Sequence, residues 1–147
     1  MSSIPDVYAI GDCASVFDNA SRCDEYIALA TNAVRSGIIA AHNACGTALE
    51  HIGVQGSNGI CVYDLKMVST GLTVERAECL GIPVEFTEFE DTQKPAFIQS
   101  ANPVVRLLIV YRKDNREIIG AQIASEYNMH MGIHMFSSIL PGRIFPH

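Results

Sequence analysis

Long hydrophobic runs are missing from this sequence. No stretch approaches the ~18 residues of a membrane-spanning helix, and the strongest, Val104 to Tyr111, is interrupted by Arg106. The opening Met1-Ser2-Ser3-Ile4-Pro5-Asp6 has neither the basic start nor the apolar centre of a secretory signal, so a cytoplasmic location is expected. Positive charge is scarce. Ten Lys+Arg face 16 Asp+Glu, the net charge is -6 and the pI is about 5.2. Such a chain is expected to bind neither nucleic acid nor an anionic membrane surface. Paired cysteines are absent too. The five cysteines stand at 13, 23, 45, 61 and 79, an odd count with no Cys-x-x-Cys spacing. Neither a disulfide framework nor a zinc site is indicated, and free thiols buried as small apolar residues are expected.

What is present can build a core. Of 147 residues, 48% are hydrophobic and 18% charged, with a mean hydropathy of +0.19, which excludes wholesale disorder. The length fits one compact domain, or one small domain carrying a piece of another. Composition shifts at Gln55-Gly56-Ser57-Asn58-Gly59, a run of turn formers. Before it the chain is alanine-rich, with Arg22 and Arg35 against Asp6, Asp12, Asp18, Asp24, Glu25 and Glu50; after it β-branched residues dominate. A boundary is placed there, separating residues 1–56 from 57–137, with a distinct tail over 138–147.

The element pattern follows from periodicity. Val7 to Ile10 reads as a buried strand ended by Gly11-Asp12. Ile27, Ala30, Val34, Ile38, Ala41 and Cys45 recur at helical spacing, predicting a helix from about Asp24 to Cys45 with a small-residue face and Gly46 as stop. Gly59–Tyr63 and Met67–Thr70 read as paired strands. Thr73 caps a helix to Leu80, stopped by Gly81. Val84 to Glu90 alternates, with Phe86 and Phe89 expected inward. Val104–Tyr111 and Ile118–Ala124 flank Lys113-Asp114-Asn115-Arg116 as a hairpin. A last helix is expected near Asn128. The fold class is α/β at the start, followed by an α+β domain with an antiparallel sheet.

Several residue groups could carry chemistry. A strand ending in Gly-Asp, with a helix opening later at Leu29-Ala30-Thr31, suits a nucleotide cofactor. The carboxylate accepts hydrogen bonds from polyol hydroxyls, and helix-opening amides face negative charge. A Gly-Asp at a strand end is also an ordinary turn. His130 and His134 share a helix face, with His147 nearby, yet no Glu or Cys stands at a matching spacing, so no metal site is assigned. Glu85, Glu88, Glu90 and Asp91 lack a calcium-loop spacing and read as a solvated strand face. The phenylalanines at 86, 89 and 97 read as core. Cys23 precedes Asp24 in an expected loop and, unlike the other cysteines, is expected to be exposed; nothing places a base beside it, and no residue is assigned a catalytic role.

Longer motifs carry a resemblance. Ser3-Ile4-Pro5-Asp6-Val7-Tyr8-Ala9-Ile10-Gly11-Asp12-Cys13-Ala14 resembles the second FAD-binding motif of the pyridine nucleotide-disulfide oxidoreductases. Tyr26-Ile27-Ala28-Leu29-Ala30-Thr31-Asn32-Ala33-Val34-Arg35-Ser36-Gly37, Val68-Ser69-Thr70-Gly71-Leu72-Thr73 and Ile118-Ile119-Gly120-Ala121-Gln122 continue the match. Within that superfamily the chain is most similar to the NADH oxidases, then to NADH peroxidase and coenzyme A-disulfide reductase. The resemblance runs over about residues 2 to 136.

The resemblance implies that residues 1–56 are the last part of an FAD-binding domain and 57–137 a dimerisation domain. It implies that Asp12 binds the ribityl chain of FAD, that Leu29, Ala30 and Thr31 open the helix facing the flavin pyrimidine ring, and that Gly59, in the turn between domains, lies near the nicotinamide of NADH. It implies a homodimer, or pairing with a full-length relative. The Gly-rich dinucleotide fingerprint of the family has no counterpart here, and none of the five cysteines matches its redox cysteine. Cys13 is expected to be a packed small residue. The chain thus reads as the C-terminal third of an FAD-dependent NADH oxidase. It would carry part of the FAD site and the dimer interface, and lack activity alone. The similarity fades near Met135-Phe136-Ser137, as a frameshift or truncation would produce. Two alternatives are a non-catalytic dimerisation module and an inert truncated product.

Overall fold

The computed structural model describes residues 3–140. Among these, 3–18 with 22–54 form one compact unit, and 19–21 with 55–140 form another.

In the first unit a hairpin pairs two three-residue strands, β1 (Val16–Asp18) and β2 (Cys23–Glu25), and Val54 donates its amide to the Phe17 carbonyl at 2.9 Å. Helix α1 (Ala30–Ala44) follows. Its alanines favour helix intrinsically. It ends on Gly46 at φ 85°, where the Thr47 amide reaches the His42 carbonyl and the Gly46 amide the Asn43 carbonyl. That pairing satisfies carbonyls a helix end otherwise leaves open.

Two expectations fail in this unit. Val7–Ile10 joins no sheet among the described residues, and Val7 and Ile10 are 46% and 44% exposed. An apolar run becomes a buried strand only where a neighbour pairs its backbone. The helix opens at Ala30 rather than Asp24, because Asp24 is taken into the β1–β2 hairpin. The apolar stripe of α1 is also open, with Val34 and Ile38 exposed, and the helix buries no residue fully.

The second unit is a five-stranded antiparallel sheet ordered β3-β4-β7-β6-β5. Its strands are β3 (Asn58–Val62), β4 (Leu65–Gly71), β5 (Val84–Thr92), β6 (Val104–Arg112) and β7 (Ile118–Ser125). Helix α2 (Val74–Cys79) links β4 to β5. The Thr73 hydroxyl accepts the Arg76 amide at 3.1 Å, the capping bond its sequence position predicts. Helix α3 (Gly132–Ile139) packs Ile133 on Val68 and Ile123. A second core joins Leu72, Ala77, Val110 and Ile119. These two clusters place apolar burial on β4, β6, β7 and the helices.

The sheet explains the remaining corrections. Phe86 and Phe89 are 51% and 56% exposed on the outer strand β5, of which Val84 alone packs against a core cluster. Phe97, in the β5–β6 loop, is exposed as well. All five cysteines are exposed: Cys61 lies on the outer strand β3, Cys79 ends α2, Cys45 caps α1, Cys23 is in β2 and Cys13 lies in a turn. The interior positions are filled by Val, Ile and Ala instead. Helix α3 begins after Asn128 because the Asn128 side chain accepts the His130 amide at 3.1 Å, holding a local turn there. Helix α3 ends at Ile139, and the expected tail from residue 141 on lies outside the described residues. The acidic strand β5 is solvated, and two of its carboxylates pair: Glu90 with Arg106 at 2.6 Å and Glu85 with Arg116 at 2.5 Å.

Candidate functional site

Gly11-Asp12-Cys13 forms a single 3-10 turn after Val7–Ile10. Gly11 stands at φ 76°, a conformation L-residues rarely adopt, and a side-chain carbon there would meet nothing within 4 Å. The turn is fastened to α1. The Gly11 amide donates to the Ser36 hydroxyl at 3.1 Å, and that hydroxyl donates to the Ala33 carbonyl at 2.9 Å. Asp12 is exposed, and its carboxylate has no hydrogen bond or ion pair among the described residues.

The opening of α1 is also uncapped. Leu29, the residue before the helix, is extended and offers no side-chain cap. Its carbonyl accepts the Asn32 and Ala33 amides at 2.9 and 3.0 Å. The Ala30 and Thr31 amides donate to nothing among the described residues. Orphan amides at a helix start carry the positive end of the helix dipole and favour a negatively polarised atom. Asp12 and the Leu29–Thr31 opening therefore belong to one unit, joined through Ser36. Sequence reading did not single out Ser36; only the fold puts its hydroxyl against Gly11.

Gly59 is placed differently from the expectation. It lies inside β3, opposite Val68, not in a turn, and it belongs to the sheet unit. The position its Cβ would take lies 3.1 Å from a Val68 methyl and 3.2 Å from the His130 ring. Glycine here admits that close approach.

His51 is a second residue the sequence did not flag. Its Nδ1 accepts the Gly53 amide at 3.0 Å, which leaves Nε2 as the protonated nitrogen, buried and without a partner among the described residues. Burial, and then the Arg35 charge, push its pKa below the usual 6.5. Among the described residues no cluster of His, Cys, Asp or Glu could hold a metal, and no helix is long and apolar enough to cross a membrane.

The chain is 64% identical over 136 residues to the NADH oxidase of Streptococcus pyogenes and 53% identical over 137 residues to that of Lactococcus lactis. Each match takes in 92% of this chain, and 30% and 31% of the relative respectively. The water-forming NADH oxidase of Lactobacillus brevis, solved bound to NADH, superposes with a TM-score of 0.86 at 36% identity, over 91% of this chain and 30% of that one. The chain is homologous to the C-terminal part of the NADH oxidases. The chain is also similar to a pyridine nucleotide-disulfide family oxidoreductase from Enterococcus faecalis, at 29% identity and a TM-score of 0.76. The match covers 94% of this chain and 32% of that one. No family model matches the chain. The segment spans about 30% of the length of the curated relatives it matches.

Proposed function

We propose that this segment supplies part of an FAD site and a pairing surface to an FAD-dependent NADH oxidase. Residues 1–56 are assigned to the FAD-binding domain and 57–137 to a dimerisation domain. The observation that carries the reading is three polar groups in one unit with no partner among the described residues: the Asp12 carboxylate and the Ala30 and Thr31 amides. They fit the group. A polyol chain offers hydroxyl donors to a carboxylate, and the pyrimidine edge of a flavin offers acceptors to amides. When bound, FAD supplies hydride acceptance from NADH and electron delivery to oxygen or a peroxide.

The chain's own residues do the holding. Asp12 accepts the ribityl hydroxyls. Ala30 and Thr31 donate to the pyrimidine edge, and the α1 dipole favours negative charge there. Leu29 leaves those amides open by contributing no cap. Ser36 fixes the turn that carries Asp12. Gly59 keeps β3 slim at the position assigned to the nicotinamide. The test is a fluorescence titration of FAD with the purified chain and with Asp12→Ala. FAD binding that weakens at least about tenfold in the variant, as loss of a charge-assisted bond worth ~1.5–3 kcal/mol predicts, supports the assignment. Equal titrations overturn it.

A second reading rests on the sheet unit. Ile60, Met67, Val62 and Leu65 are exposed on β3 and β4. Such side chains favour a partner, here a second copy or a full-length relative. In this reading the chain is a non-catalytic pairing module. Sedimentation at micromolar concentration distinguishes it: a dimer that Met67→Glu dissociates supports pairing through this sheet, and a monomer rejects it.

A further inference from the structure

We draw no further inference here: the strongest candidate, the cavity between residues 8–17 and α1 that His51 lines, its Nε2 without a partner among the described residues, shares the Ile10, Cys13 and Ser36 walls of the site already described, and nothing in the structure shows what fills it.

Discussion

Gly120 lies against Leu72 so closely that any side-chain carbon on it would be driven into the Leu72 carbonyl oxygen. The contact is fixed from both sides. The Leu72 amide donates to the Ile119 carbonyl at 2.8 Å, and the Gln122 side chain reaches the Leu72 carbonyl at 3.4 Å. Gly71, at φ 67°, meets the Ile119 carbonyl in the same way. The chain leaves β4 for α2 at Gly71, whose cross-strand partner in β7 is Gly120, so the fully buried Ile119 and Val110 depend on both. Backbone cannot yield here as a flexible side-chain tip would. Gly120→Ala is therefore expected to cost at least about 2–3 kcal/mol, lowering the melting temperature by roughly 10–20 °C. Circular dichroism melts of both proteins check this; a shift under a few degrees contradicts the packing.

The His51 imidazole is expected to titrate below 6.5, because burial and Arg35 disfavour its charged form. The unfolded chain then binds more protons than the folded one as pH falls through the unfolded value. The contribution of His51 to stability is whole above that value and declines on acidification towards the lower folded value. Proton NMR of the imidazole checks the direction: a midpoint at or above 6.5 contradicts the burial of Nε2.

These two regions differ in how far sequence alone exposed them. The sheet unit was legible because its signals are local. Thr73 three residues before Arg76 names a cap, Gly81 names a stop, and Lys113–Arg116 separates two apolar runs of strand length. The first unit was less so. Val7–Ile10 has the composition of a buried strand, but strand formation depends on a neighbour's backbone, which composition does not encode. Cysteines and phenylalanines were assigned to the interior by type, while β3 and β5 proved to be outer strands. At the candidate site, Asp12 and Leu29–Thr31 emerged from motif resemblance. The open amides, the Ser36 fastening and the buried His51 nitrogen exist only once the chain is folded.

The purified chain is expected not to oxidise NADH faster than free flavin does, with FAD present. It carries no Gly-rich fingerprint for a dinucleotide pyrophosphate, and no cysteine that matches the family's redox residue. Absorbance at the NADH band measures this directly. A rate above the free-flavin control means the segment holds more of a working site than assigned.

The central claim is that Asp12 and the α1 opening are flavin-facing. The most direct measurement is amide-resolved NMR of the isotope-labelled chain during titration with FAD. Shifts are expected to concentrate at the Gly11, Asp12 and Cys13 amides and at Leu29, Ala30 and Thr31. Asp12→Ala should reduce those shifts, leaving the β3–β7 sheet unmoved. An unchanged spectrum at millimolar FAD, or shifts centred on the sheet unit, would contradict it.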